Sequence, residues 1–283
     1  MNSVVVTGVA TGIGWGCAKV LLKHGFRVFG SVRKELDAAR LRDQFGENFE
    51  PLLFDVTDAA AVLAAAQQVR AALSGMNLSG LVNNAGIAVP GPLLHLPIAA
   101  FRQQLEVNVV GQLIVTQAFA PLCGAASGTP HPKGRIVNIT SVGGTSASPF
   151  VGAYNSSKFA FEGLSEALRR ELMLFGVDVI TVAPGAVQTP IWDKAETIDV
   201  SQYESTAYGP ALRKVRSLML AMGQKGLAPE AIGEAVHRAL TARTPKARYV
   251  VTPDPVQNFI VNTLPRRLVD RMIARRLGLA GKS

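Results

Sequence analysis

Val4-Val5-Val6-Thr7-Gly8-Val9-Ala10-Thr11-Gly12-Ile13-Gly14 stands almost at the start of the chain, and its reading decides the fold. The short β-branched run fits a strand. The glycines after it, spaced Gly-x-x-x-Gly-x-Gly, fit a tight turn, and beyond them Ala18, Leu21 and Leu22 recur on one side of a helix over 13–24. Strand, glycine-rich turn and helix in that order bring backbone N–H groups and a helix N-terminus to one point, which suits the pyrophosphate of a dinucleotide. The spacing departs from the Gly-x-Gly-x-x-Gly fingerprint. Taken alone, the same glycines also fit a turn that serves packing only.

Outward from this unit the same rhythm repeats. Strand-like runs fall at 3–7, 26–32, 49–54, 78–83, 134–140, 177–182 and 248–252, with helical patterns at 59–73, 98–120, 152–175 and 229–242 between them. Such alternation predicts right-handed crossovers and a parallel sheet covered on both faces. Val177–Val182, interrupted only by Asp178 and Thr181, has the near-continuous apolar character of a doubly buried strand. Two stretches break the rhythm: 186–228, a long insertion after a strand, and the tail from Pro253. Ligands of open α/β sheets bind beyond the carboxyl ends of the strands, so 186–228 is expected to cap a substrate. The chain therefore divides into a body over 1–252, which includes the cap, and an extension over 253–283.

Composition narrows the function. Of 283 residues 48% are hydrophobic and 17% charged, ample for a large core. Apolar runs of eighteen residues are lacking, so no membrane span is expected, and Met1-Asn2-Ser3-Val4 lacks the basic flank of a signal peptide. Cys17 and Cys123 are too few for a disulfide framework and fit a reducing, cytoplasmic setting. His24, His95, His131 and His237 show no ligand spacing, so no metal site is expected. The net charge of +9 is concentrated in the tail, where Arg266, Arg267, Arg271, Arg275, Arg276 and Lys282 face only Asp254 and Asp270. Neither a DNA-recognition helix nor an aromatic RNA platform accompanies it, so nucleic acid is not expected as a partner.

Chemistry enters at Tyr154-Asn-Ser-Ser-Lys158. Four residues is about one helical turn, so the phenol and the ammonium share a face. The adjacent cation is expected to lower the phenol's pKa toward working pH, making it a usable acid–base. Strand ends collect small or polar residues: the glycine turn, Val32 followed by Arg33 and Lys34, Asp55-Val56, Asn83-Asn84-Ala85-Gly86, Ser141, and Pro184-Gly185 with Thr189 beyond. Asn108 lies within the 98–120 helix.

In this order the motifs resemble the short-chain dehydrogenase/reductase family over about residues 3–252. The likeness rests on Thr7-Gly8-x-x-x-Gly12-Ile13-Gly14, Asp55, Asn83-Asn84-Ala85-Gly86, Asn108, Ser141, Tyr154-x-x-x-Lys158 and Pro184-Gly185. Ser141-Val-Gly-Gly, Pro149-Phe150 and Ser157-Lys-Phe-Ala-Phe-Glu-Gly163 are similar to the steroid and retinol dehydrogenase branch. The resemblance implies a single Rossmann-type, doubly wound parallel sheet of about seven strands. It implies that Tyr154 is the general acid–base, that Ser141 bonds the substrate oxygen, that Lys158 tunes Tyr154 and holds the nicotinamide ribose, and that Asn108 organises a relay water. It places the cofactor against Gly8, Thr11, Gly12, Ile13 and Gly14 at the turn. Asp55, Val56, Asn83, Ala85 and Gly86 would lie around the adenosine, with Tyr154, Lys158, Pro184, Gly185, Val187 and Thr189 at the nicotinamide end. A dimer or tetramer through 98–120 and 152–175 is implied as well.

Cofactor choice turns on residues 32–34. An acid closing the second strand would bind the ribose 2′-hydroxyl, whereas an arginine there accommodates a 2′-phosphate. Val32 stands where the acid would be, with Ser31, Arg33 and Lys34 around it, so NADP(H) is expected over NAD(H). Thr11 is a counter-signal, since many NADP-dependent relatives carry a basic residue there. Asp55 with Thr57 and Asp58 also reads as a helix cap.

Ile191, Trp192, Tyr203, Tyr208, Leu212, Leu218, Met219 and Met222 would either line an apolar pocket for a lipophilic alcohol or ketone or pack the cap onto the body. In the tail, Leu268, Val269, Met272, Ile273 and Leu277 gather on one side of a helix over 264–279. That helix would lie on an anionic membrane surface or dock on the body or a second subunit. The expectation is an NADP(H)-dependent oxidoreductase interconverting a lipophilic alcohol and its ketone or aldehyde. A non-catalytic dinucleotide-sensing regulator is the alternative, and it would be expected to lack the Tyr154/Lys158 pair.

Overall fold

The computed structural model describes residues 2–129, 132–189 and 203–280, apart from the side chains of Met222 and Gln224. Ile191, Trp192, His131 and the side chain of Met222 lie outside the described residues.

The first unit folds as its sequence requires. Strand β1 (Ser3–Val6) enters the glycine turn and helix α1 (Gly12–Lys23). Then follow β2 (Arg27–Val32), α2 (Glu35–Phe45), β3 (Phe49–Leu53), α3 (Ala59–Leu73) and β4 (Gly80–Asn83). The second half contributes α4 (Ile98–Leu105), α5 (Gly111–Phe119), β5 (Arg135–Ile139), α6 (Gly152–Glu171) and β6 (Asp178–Pro184). It closes with α7 (Gly209–Gln224), α8 (Pro229–Thr241), β7 (Arg248–Val251), α9 (Pro255–Thr263) and α10 (Arg266–Leu277). The seven strands form one parallel sheet in the order β3-β2-β1-β4-β5-β6-β7. Strand order reverses between β1 and β4, so the carboxyl ends of these two strands flank the crevice where doubly wound sheets bind ligands.

Alternation along β1 explains its unbroken apolar sequence. Val4 and Val6 bury into one core with Leu21 of α1, Leu41 of α2 and Ile232 and Val236 of α8. Val5 turns to the opposite core with Val69 of α3 and Val115 and Phe119 of α5. A strand buried on both faces has no polar side to display.

Helices α1 and α8 cross with their backbones in contact. A Cβ on Gly16 would sit 2.5 Å from the Pro229 carbonyl carbon, and one on Gly233 would sit 2.7 Å from the Gly16 oxygen.

Three elements differ from the sequence expectation. Helix α2 was not foreseen, because it buries only Ala38 and Leu41 and has no strong apolar stripe. The helix expected over 98–120 is interrupted by a π turn at Glu106–Val110, placed under the site. The run Ile98–Cys123 is long and apolar enough to cross a membrane, with mean hydropathy 1.2. It nevertheless carries the buried amides of Gln104, Asn108 and Gln112, which are hydrogen-bonded within the body. The tail helix expected over 264–279 is present as α10, but a further helix before it, α9, was not foreseen; Leu264-Pro265 separates the two, where proline removes a backbone donor. Leu277 is buried and Leu279 packs against the cap, so α10 docks on the body, while Leu268 and Met272 stay exposed.

Candidate active site

The glycine turn is shaped by close backbone approach. Gly8 and Gly12 have φ of 71° and 62°, a region that penalises side chains. Gly14 is constrained differently: a Cβ there would fall 2.2 Å from the Gly8 oxygen and 2.5 Å from Asn84 Nδ2. Buried Thr7 accepts hydrogen bonds at Oγ1 from the backbone N–H groups of Asn84 and Ala85, each at 2.9 Å. Asn84 Nδ2 donates back to the Thr7 oxygen at 2.8 Å, and Ser31 Oγ accepts from Gly8 N at 2.9 Å. The turn is thus stitched to the ends of β4 and β2. Thr11 precedes α1 without capping it by its side chain, so the first N–H groups, at Gly12, Ile13 and Gly14, have no side-chain cap. Close backbone approach beside an uncapped helix N-terminus fits a nucleotide diphosphate.

The ends of β2 and β3 carry charge. Val32 is buried, and Arg33 reaches 3.6 Å from Asp55 Oδ2. Desolvation pushes the Asp55 carboxyl upward. The hydrogen bonds from Thr57 N at 3.0 Å and Thr57 Oγ1 at 2.8 Å, together with Arg33, outweigh it and hold the group below the usual range. A second cation, not foreseen from the sequence, arrives from α2: Arg40 donates to the Ala10 carbonyl in the glycine turn at 2.8 Å and to Asp37 at 3.0 Å. Val56 is buried against Gly111. Asn83 turns its amide inward, donating to Thr116 Oγ1 and Asn138 Oδ1 at 2.9 Å each, so its side chain organises the core rather than the crevice. Ala85 and Gly86 follow at the crevice edge, where a Cβ on Gly86 would lie 3.1 Å from Asn108 Oδ1.

Ser141, Tyr154 and Lys158 converge at the carboxyl end of β5. Ser141 Oγ accepts from Gly143 N at 3.0 Å, which orients the hydroxyl. Tyr154, in the first turn of α6, is half-buried and hydrogen-bonded with Ser141. Burial pushes its phenol above the ordinary value and the Ser141 bond pulls it back. This corrects the expectation that Lys158 lowers it. The Lys158 ammonium donates to the Ile139 carbonyl at 2.9 Å and stands 5.8 Å from the centre of the Tyr154 ring. Lys158 is itself perturbed: burial draws it from 10.5 to about 8, against an upward pull from Glu162.

Asn108, in the π turn, accepts from Ile87 N at 2.9 Å and donates to Ile87 O and Ser157 Oγ at 3.0 Å each. Its amide is committed to these partners. Two further groups escaped the sequence reading. Fully buried Gln104 accepts from Val89 N at 2.7 Å and donates to Ile87 O at 2.8 Å, so with Asn108 it fixes the 86–89 loop beside α6. Glu162, one turn beyond Lys158, accepts from Arg248 Nε of β7 at 3.0 Å, and Arg248 donates to the Ser141 carbonyl at 3.4 Å. Only the placement of Arg248 at a strand start hinted at this pair.

On the far side, the Pro184 carbonyl faces Ser141 Oγ at 3.5 Å, and a Cβ on Gly185 would meet Thr252 Oγ1 at 2.4 Å. Val187 is buried and bridges to Leu227, tying the start of the cap to its end, and Thr189 closes the described stretch 132–189. In the cap, Tyr203, Ala211 and Leu212 bury together with Phe150, and Tyr208 packs edge-on to Phe150 at 5.8 Å. Of the two readings, these residues follow the packing one. Phe150 has φ of 65°, a strained conformation for an aromatic residue immediately before α6.

Comparison with known proteins follows the same lines. Residues 2–198 match the family described as short chain dehydrogenase. The chain is 38% identical over 278 residues to an NADPH-dependent 3-dehydrocapnine reductase of Ornithobacterium rhinotracheale, covering 98% of each sequence. It is 31% identical over 288 residues to retinol dehydrogenase 16 of Mus musculus, covering 95% of this chain and 87% of that one. Among solved structures, a short chain dehydrogenase/reductase from Burkholderia phymatum in complex with NAD superposes with a TM-score of 0.77 at 23% identity, covering 96% of this chain and 95% of that one, a likeness of fold.

Proposed function

This chain belongs to the short-chain dehydrogenase/reductase family of oxidoreductases, and from that membership we propose that it reduces a lipophilic ketone or aldehyde to its alcohol with NADP(H) as preferred cofactor. The observation that carries the reading is the convergence of Ser141, Tyr154 and Lys158 at one strand end. The bound nicotinamide would supply the hydride. Ser141, with its oxygen anchored by Gly143 N–H, would turn its hydroxyl hydrogen from the Pro184 carbonyl and Tyr154 to the substrate oxygen as charge builds there. A phenol held above its ordinary pKa is protonated at neutral pH, the form that donates a proton to that oxygen. Lys158, charged below about pH 8, would hold the nicotinamide ribose and support reprotonation of Tyr154.

Arg33 and Arg40 beside the glycine turn support NADP(H), because two guanidinium groups suit a 2′-phosphate. The relative named an NADPH-dependent reductase supports the reductive direction, and the one named a retinol dehydrogenase supports a lipophilic substrate. Assembly into a dimer or tetramer through α4, α5 and α6 belongs to the same proposal, supported by the exposed side chains of Ile98, Val110 and Phe159.

The test is Tyr154→Phe assayed on a panel of lipophilic ketones, with wild type run on both NADPH and NADH. A loss of at least about a thousandfold in turnover with dinucleotide affinity intact is expected, together with a clear wild-type preference for NADPH. Retained turnover would overturn the acid–base assignment, and equal efficiency with the two cofactors would overturn the preference.

A further inference from the structure

Three potential ligands meet on the surface away from the active site. His24 ends α1, while Glu234 and His237 lie three residues apart on one face of α8. Their ligating atoms all fall within 4.8 Å of one another. His24 Nε2 is 3.5 Å from Glu234 Oε2, and the two imidazoles stack at 3.8 Å with 7° between planes. Sequence spacing conceals the group because its members come from opposite ends of the chain.

We propose that His24, Glu234 and His237 form a binding site for one divalent transition-metal ion of the Zn2+ type, clasping the end of α1 to α8.

The chemistry of the donors fits. Two imidazoles and one carboxylate, with a fourth position left to water, is an established zinc donor set, and imidazole selects such ions over Mg2+ or Ca2+. Donor atoms around a tetrahedral ion with bonds of about 2.0–2.1 Å are about 3.4 Å apart. Closing from 4.8 Å therefore takes side-chain rotation, including a turn of one imidazole out of the stack so that both nitrogen lone pairs meet at the ion, and all three groups are exposed or half-buried. The frame beneath them is rigid, since α1 and α8 touch backbone to backbone at Gly16 and Gly233. Buried Phe26 packs edge-on to His237 at 6.0 Å and limits how that ring turns.

The test uses the full-length chain without an affinity tag, stripped with chelator and titrated with Zn2+ by calorimetry. One ion per chain is expected at low-micromolar Kd or tighter. His24→Gln and His237→Gln should each weaken it at least tenfold, and Glu234→Gln less, with His95→Gln as the neutral control. Zn2+ at a hundredfold excess over Kd should raise the wild-type Tm by several degrees and the His24→Gln Tm by much less. None of these residues belongs to the active site, so turnover of the variants reports that they are folded. Absence of saturable one-to-one binding in wild type, or binding that survives both histidine substitutions, overturns the proposal. It stands apart from the proposed reaction and survives or fails without it.

Discussion

The glycine turn and the aromatic cap lie along the same edge of one sheet, yet they are held by different means. At the turn, backbone meets backbone: Gly14 against Gly8, with Thr7 and Asn84 stitching the loops by hydrogen bonds of 2.8–2.9 Å. At the cap, side chains do the holding: Phe150, Tyr203, Ala211 and Leu212 bury together, and Phe150 has a φ of 65°. A site made of backbone is specified by where glycines fall and tolerates no added atom there. A site made of side-chain packing can be refilled in many ways, so its residue identities are free to vary with the substrate.

The largest effect should come from the turn. Gly14→Ala puts a Cβ 2.2 Å from a backbone oxygen that has nowhere to go, so loss of measurable dinucleotide affinity and of about 1–3 kcal/mol in stability is expected. Gly163→Ala in α6 is the control, because nothing lies within 4 Å of its added Cβ, and a small gain in stability is expected there. If Gly14→Ala binds the dinucleotide as wild type does, measured by fluorescence titration, the backbone account of the turn fails.

Lys158→Met ranks next and separates function from stability. Turnover should fall by roughly a thousandfold. The fold, however, gains. The ammonium titrates at about 8 in the native state and at 10.5 ordinarily, so between those values the unfolded chain binds a proton that the folded chain has shed. Stability from this group therefore rises with pH across that window, and at pH 7 the buried charge is a cost. Removing it should stabilise the protein by roughly 1–3 kcal/mol at pH 7, after discounting the Ile139 carbonyl left unpartnered, and should flatten the wild-type rise in Tm between pH 8 and 10.5. A lower Tm for the variant at pH 7 would show that the charge is a net structural asset.

The contrast between turn and cap also explains what could be read from the sequence. Strand ends fell within one or two residues of the sequence reading because doubly buried strands announce themselves as apolar runs, and the Tyr154/Lys158 pair was legible because one helical turn fixes its geometry. Helix α2 escaped because only Ala38 and Leu41 need be apolar. The π turn at Glu106–Val110 leaves no periodic trace. Gln104, the Glu162–Arg248 pair and the meeting of His24 with His237 are contacts across long chain separations, which local pattern cannot encode. Even the Tyr154 phenol was misjudged in sign, since spacing shows a neighbouring cation but neither the burial around the phenol nor the carbonyl that claims the cation.

Phe150 tests the cap. Its ring contributes about 2–3 kcal/mol by burial, while its positive φ costs about 1–3 kcal/mol. Phe150→Gly surrenders both and should leave stability within about 1 kcal/mol of wild type, whereas Phe150→Ala loses the ring and keeps the strain, and should be less stable than the glycine variant. Both should raise KM for a bulky carbonyl substrate about tenfold while leaving NADPH affinity unchanged. An equal loss of NADPH affinity would mean that cap and turn are one unit rather than two.

The smallest effect is expected where the two halves meet the catalytic lysine. Glu162 accepts from Arg248 at 3.0 Å and pulls the Lys158 pKa upward. Glu162→Gln keeps an oxygen for Arg248 but withdraws the negative charge, so Lys158 should lose its proton at lower pH than the present value of about 8. Burial holds Tyr154 above its ordinary value, so it is Lys158 that sets the alkaline limb of the reductive rate, and that limb should move toward acid. At pH 7 the rate should stay within about twofold of wild type, because a partly exposed charge acts weakly through solvent. The informative quantity is the displacement of the limb rather than the rate at any one pH. A limb that does not move would mean that burial alone sets the lysine, and that Glu162 and Arg248 serve only to hold β7 against the Ser141 loop.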